Sequence, residues 1–209
     1  DAAARHVRVL RLDAGAALTL FDGRGGEWRA QVQQTRADSV TIEVIEHVPI
    51  ERELNVAVHL AVGMPANDRM DFLVEKATEL GAASIQPLVT ERSVLRLTGE
   101  RGAKKRAHWQ AVATAACEQC GRNRVPAIGL PIALRQWLTH IDESHPDAAR
   151  WLLSLPLSNG VDAATTAPAP EPARADRGMA ALVALSGPEG GLSDDEQRAC
   201  SALHGFVAR

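Results

Sequence analysis

The chain has 209 residues, 45% of them hydrophobic, which is enough for one large domain or for a small and a medium one. A formal net charge of -3 and a pI near 6.2 exclude a globally basic nucleic-acid binder and leave only local cationic clusters for that role. Three cysteines make no even disulfide framework and no apolar run is long enough to span a bilayer, so a reducing, cytoplasmic setting is expected. The opening Asp1-Ala2-Ala3-Ala4-Arg5-His6 matches neither a signal peptide nor a lipidation motif.

Residues 6–48 read as short strands separated by turns: 6–12, 17–21, 27–33 and 39–46, with Asp22-Gly23-Arg24-Gly25-Gly26 as the sharpest turn. This predicts a small β-barrel or meander as a first domain over residues 1–48. Arg8, Arg11 and Arg24 give it a basic character suited to a phosphate backbone, although arginines on solvated strand faces also serve solubility.

Pro49-Ile50-Glu51-Arg52-Glu53 is the expected join to a second domain over residues 49–209, where strands alternate with helices and a largely parallel sheet follows. Residues 54–62 form a strand in which His59 is expected to be a satisfied core or edge residue. Asp68 is placed to cap a helix with Met70, Leu73, Val74, Ala77 and Leu80 on one face and Gly81 as its stop, with Lys76 pairing locally to Glu75 or Glu79. A strand over 84–90 completes a βαβ unit.

The most basic stretch comes next, with Arg92, Arg96, Arg101, Lys104, Lys105 and Arg106, and it runs into a helix over about residues 104–120 that buries Trp109, Val112, Ala113 and Ala116. Arg122, Asn123 and Arg124 lie on its exit loop. Positive groups at both ends of one helix offer phosphate contacts through Arg92, Arg96, Arg122 and Arg124. Cys117 and Cys120 form a Cys-x-x-Cys at the wrong helix end for a redox pair and with no second pair for zinc, so they are expected to be small structural residues, as is Cys200; no metal is expected. A short helix over 133–141, a strand over 150–156 and a surface loop over 158–178 follow.

The apolar run Ala180 to Leu185 then breaks into Ser186-Gly187-Pro188-Glu189-Gly190-Gly191-Leu192, the pattern of a buried parallel strand ending in a glycine-rich turn. Ser193 with Glu196 three residues on signals a capping box, so a helix starts near Asp194 and stops at Gly205, with a new strand at 206–209. Ligands of open α/β sheets bind outside the carboxyl ends of the strands. The turn lacks the Gly-Lys-Ser/Thr of a P-loop and the Gly-x-Gly-x-x-Gly of a dinucleotide site, and Glu189, Asp194 and Asp195 disfavour polyphosphate. It therefore reads either as a purely structural turn or as the backbone grip on a neutral or cationic ligand.

Three blocks taken together resemble one family: the run from Asp68 to Gly81, then Glu118-Gln119-Cys120-Gly121-Arg122, then Gly187-Pro188-Glu189-Gly190-Gly191-Leu192-Ser193. In this order and spacing the chain is similar to the bacterial ribosomal RNA small-subunit methyltransferase E family, which methylates N3 of a uridine in 16S ribosomal RNA. The resemblance implies an α/β protein with an N-terminal PUA-like β-barrel, a SPOUT-type α/β domain with a C-terminal trefoil knot, a homodimer, S-adenosyl-L-methionine as methyl donor, and 16S rRNA within the small subunit as partner. It places the donor against Leu155, Pro156, Gly187, Pro188, Glu189, Gly190 and Gly191. The family's Leu-Gly-x-Arg-Ile-Leu-Arg-x-Glu-Thr-Ala motif, which threads the knot, does not occur in these 209 residues, so an incomplete knot is expected. By residue type, Glu118 is the candidate for taking the N3 proton and Arg122 for orienting the base, with helix-end structure as the alternative for both. The competing function is a non-catalytic RNA-binding module with a structural glycine turn.

Overall fold

A computed structural model describes residues 2–153 and 179–208. Leu155, Pro156 and the expected surface loop over 158–178 lie outside the described residues. The chain divides into two units, Asp1–Glu53 with Cys117–Val125, and Leu54–Ala116 with Pro126–Arg209.

In the first unit, helix α1 (Ala2–Val9) precedes an antiparallel sheet of β1 (Ala17–Leu20), β2 (Glu27–Thr35) and β3 (Val40–Val48), in the order β1-β2-β3. The strand expected over 6–12 is thus a helix. Alanine is the strongest helix former and opens α1 three times over, and Val7 is buried. The helix closes with Arg11 at φ 52, the Arg11 N–H on Arg8 O at 3.0 Å and the Leu12 N–H on Val7 O at 3.2 Å. These are the paired bonds of a Schellman ending, with arginine where glycine is usual. Ala30 and Val32 of β2 alternate inward and are buried, while β2 slips register against β3 at Arg29/Ala30 and at Val32/Gln34. The turn at 22–26 is laced by backbone bonds to the exit of the long helix: Val125 N–H to Gly23 O at 3.1 Å and Gly25 N–H to Asn123 O at 3.1 Å.

The second unit is built on a seven-stranded parallel sheet. Its elements are β4 (Ala57–Gly63), α2 (Asn67–Glu79), β5 (Ala82–Val89), α3 (Gly99–Cys120), β6 (Ala127–Ile128), β7 (Ile132–Ala133), α4 (Leu134–Leu138), α5 (Ile141–Ser144), β8 (Ala149–Leu153), β9 (Ala181–Ser186), α6 (Asp194–Arg198) and β10 (Val207–Ala208). The main path runs β10-β8-β9-β4-β5-β6, with β7 also on β5. Strand β9 lies inside the sheet, and its consecutive residues Leu182 to Leu185 are all buried, so both of its faces are covered and the run is continuously apolar. A core cluster joins Leu88, Leu152, Val183 and Leu185 of the sheet to Trp137, Leu138, Ile141, Cys200 and Phe206. Each fully buried leucine there contributes about 1.5–3 kcal/mol.

Asp68 does not cap α2. The N-cap is Ala66, with no side-chain cap bond, and Asp68 sits in the first turn, where its charge meets the helix dipole. The capping box at Ser193 and Glu196 is present in full. Past α6 the chain continues as a π-helical turn, Ala199–Leu203, before Gly205 at φ 65 releases it into β10. On α3, Trp109, Ala113 and Ala116 are buried and Val112 only partly so. Cys120 is an exposed free thiol; Cys117 and Cys200 are buried free thiols, and burial pushes the pKa of these two up, to about 11 for Cys117 and about 12 for Cys200. Among the described residues no group of three or more His, Cys, Asp or Glu could hold a metal, and no helix is long and apolar enough to cross a membrane.

Candidate functional site

Strand β9 carries the glycine-rich turn to the carboxyl edge of the sheet. Val62 of β4 pairs with Ser186 of β9, so Gly63 and Gly187 leave the sheet side by side. A Cβ on Gly63 would lie 2.5 Å from Pro188 Cδ and 3.0 Å from the Gly187 carbonyl carbon. One on Gly187 would lie 2.6 Å from the Gly191 carbonyl carbon and 2.7 Å from the Leu192 nitrogen. The turn closes with the Gly191 N–H on Pro188 O at 2.7 Å, and Gly191 holds φ +69. A Cβ there would meet nothing within 4 Å. The turn is therefore folded against itself and β4 at Gly187, lies against Arg92 at Gly190, and is open at Gly191.

Side chains brace this backbone from three elements. Arg69 of α2 reaches Glu189 Oε1 at 2.9 Å, and Arg92, beyond β5, donates to Gly190 O at 2.7 Å. Glu196 is buried; its Oε2 accepts the Ser193 N–H at 3.0 Å and its Oε1 the Glu91 N–H at 2.8 Å, so one carboxylate ties the start of α6 to the exit of β5. That exit is itself fixed by Ser93 Oγ, which accepts the Thr90 N–H at 3.0 Å. The Glu189 backbone N–H, followed by that of Ala66 and by the Arg69 guanidinium, holds the Glu189 carboxyl below its usual range, so it stays ionised.

In the first unit, Arg122 is buried and forms a two-pronged pair with Glu53: Nε to Oε1 at 3.0 Å and Nη2 to Oε2. Asn123 Nδ2 donates to Ile50 O at 2.9 Å, and Arg124 Nε to Glu51 Oε2 at 2.8 Å, with the Arg124 guanidinium lying over Gly25. The exit loop of α3 is thus pinned to residues 50–53. Glu118 is exposed near the end of α3. Arg8 is spent on carbonyls, Nε on Ala4 O at 3.1 Å and Nη1 on Ala37 O, whereas Arg11 and Arg24 are exposed.

The structure therefore gathers Gly187 to Gly191 with Arg92 in the second unit, where Arg96 is exposed. Arg8, Arg11, Arg24, Glu118, Arg122 and Arg124 belong to the first unit. Sequence reasoning missed Gly63, Arg69 and Glu53. Gly63 does end an apolar strand, a position where glycine marks close backbone approach. Nothing local flags Arg69 or Glu53, whose partners lie far along the chain.

A family model described as RNA methyltransferase domain matches residues 52–208, and one described as RNA methyltransferase PUA domain matches residues 1–45. A crystal structure of ribosomal RNA small subunit methyltransferase E from Neisseria gonorrhoeae, bound to S-adenosyl methionine, superposes with a TM-score of 0.81 at 32% identity, over 100% of this chain and 80% of that one. This chain belongs to the ribosomal RNA small subunit methyltransferase E family. A second family-like structure, a methyltransferase from Legionella pneumophila in complex with the same cofactor, gives 0.80 at 31% identity over 99% and 79% of the two chains. The family member of Synechocystis sp. is 32% identical over 189 residues, 90% of this chain and 57% of its own length. That of Bacillus subtilis is 35% identical over 122 residues, 58% and 48% respectively. The chain thus spans 48–57% of the length of these two relatives.

Proposed function

We propose that this chain is the S-adenosyl-L-methionine-dependent methyltransferase that modifies N3 of a uridine in 16S ribosomal RNA. The observation that carries the proposal is the tightly folded glycine turn of Gly187 to Gly191, open at Gly191 and set at the carboxyl edge of a parallel sheet in a chain of this family. A turn that three glycines let fold this tightly, open at Gly191, fits a ligand gripped by main-chain amides and carbonyls, and Gly187, Pro188, Glu189, Gly190 and Gly191 would hold it, with Leu155 and Pro156 assigned to the same role. The donor supplies an electrophilic methyl carbon. The chain's part is positional: Arg69, Arg92 and Glu196 keep the turn in one shape, so that donor and acceptor meet without a further entropic cost.

Residues 1–48 are assigned to RNA binding as a PUA-like barrel and 49–209 to a SPOUT-type domain with a trefoil knot, acting as a cytoplasmic homodimer on the small ribosomal subunit. Arg11, Arg24 and Arg96, together with Arg124, whose surface pair with Glu51 leaves its guanidinium half in solvent, are the cations we assign to phosphate contacts. Arg11 holds a left-handed backbone that costs an ordinary residue about 1–2 kcal/mol, a strain consistent with a functional side chain. Arg8, Arg92 and Arg122 are already spent on Ala37 O, Gly190 O and Glu53, so we assign them to positioning rather than to RNA. Glu118, exposed near the end of α3, is assigned to accepting the N3 proton.

The test is mass spectrometry of 16S rRNA after incubation with the protein and S-adenosylmethionine. The expected product is 3-methyluridine, with Glu118→Gln lowering kcat at least about tenfold at unchanged donor affinity. RNA binding without any methylated nucleoside would instead identify a non-catalytic RNA-binding module.

A further inference from the structure

Helix α3 carries Arg101, Lys104, Lys105 and His108 at i, i+3, i+4 and i+7, a single stripe along its first turns. Together with Leu95 and Leu97, from the segment between β5 and α3, they line a concavity of about 390 Å³ in the second unit. Small-ligand clefts run from about 300 to 1,000 Å³. Like charges three and four residues apart repel along a helix, so the stripe weakens the element that bears it unless acids compensate.

Compensation is partial. Lys104 reaches Glu100 at 2.8 Å, with both side chains largely in solvent. His108 Nε2 lies 2.7 Å from Asp71 Oδ2, while Asp71 Oδ1 accepts the indole N–H of the fully buried Trp109 at 3.0 Å. Trp109 thereby fixes Asp71, and Asp71 fixes the His108 ring, leaving Nδ1 without a hydrogen bond among the described residues. Among those residues neither Arg101 nor Lys105 has an acidic partner. Two uncompensated cations over an apolar floor make a site that is short of an anion.

We propose that this concavity binds one nucleotide of the RNA substrate, with its phosphate drawn to Arg101 and Lys105 and its ribose lying on the half-buried Leu95, which the buried Leu97 supports. The inference rests on the RNA-methyltransferase reading and adds a contact site that the exposed cations Arg11, Arg24, Arg96 and Arg124 do not provide. An isolated inorganic anion would satisfy the charges and leave the half-buried Leu95 uncovered; a nucleotide covers both.

The test is fluorescence anisotropy with a labelled, single-stranded, uridine-rich RNA, comparing the full chain with the Arg101→Gln/Lys105→Gln double variant between about 50 and 300 mM KCl. Each phosphate contact to single-stranded nucleic acid adds about 0.7 to the log–log salt slope. The expected result is a slope smaller by roughly 0.7, affinity at least about tenfold weaker at the lowest salt, a melting temperature no lower than the parent's and an unchanged calorimetric affinity for S-adenosylmethionine. A variant that matches the parent in slope and affinity overturns the nucleotide site while leaving the methyltransferase proposal standing. Poly-aspartate that displaces the RNA from the parent protein at equal charge concentration would assign the pocket to an acidic peptide instead. A parent chain that binds no RNA even at the lowest salt removes both proposals together.

Discussion

A single methyl group on Gly63 would stand 2.5 Å from Pro188 Cδ and 2.7 Å from the Pro188 nitrogen, inside the turn that we assign to the donor. Neither neighbour is a flexible chain end, so the turn itself must move. Gly63→Ala is therefore expected to cost about 1–3 kcal/mol of stability through overpacking and to weaken S-adenosylmethionine binding at least about tenfold by calorimetry. Donor affinity equal to that of the parent would show that the turn's shape is not what the ligand reads. At this scale the glycine-rich motif and the Ser193/Glu196 box were legible in the sequence, because both are local patterns of three to five residues. The Arg122–Glu53 pair was not: its members are 69 positions apart, and only the folded first unit brings them together. For the same reason a motif that marks Arg122 as a candidate catalyst says nothing about its guanidinium being committed to a carboxylate.

Among the elements, α5 docks beside β4 through two histidines. His59 of β4 and His145, next after α5, meet edge to face at 4.4 Å, and His59 Nδ1 lies 2.8 Å from Ser84 Oγ. Burial lowers both pKa values, with the neighbouring His145 adding to the effect on His59 and Arg150 to that on His145. A histidine with a depressed folded pKa contributes stability that is full above the ordinary value of about 6.5 and is lost as the pH falls below it, because the unfolded chain then binds more protons. The urea midpoint is accordingly expected to drop between about pH 7.5 and pH 5.5, and His145→Gln to flatten that profile. A parent profile as flat as the variant's would exclude the pair as its source. Periodicity located α2, β5 and α3 to within a few residues, since each buries a regular face. It failed over residues 6–12, where alternating Val and Arg looks like a strand but the preceding alanines and the absence of a pairing partner favour helix.

For the whole molecule, the change from an antiparallel first sheet to a parallel second one was legible. The return of Cys117–Val125 to the first unit was not, because it depends on backbone bonds from 123–125 to the turn at 22–26. A seven-stranded parallel sheet with β9 buried between β4 and β8 explains why the glycine turn emerges at the carboxyl edge, the position where such sheets bind ligands. The claim on which the proposed function stands is that this turn grips the methyl donor. Crystals of the protein soaked with S-adenosylmethionine measure it directly. The expected map has the donor hydrogen-bonded to main-chain atoms of Gly187 to Gly191; a donor bound away from that turn, or none at saturating concentration, would contradict it.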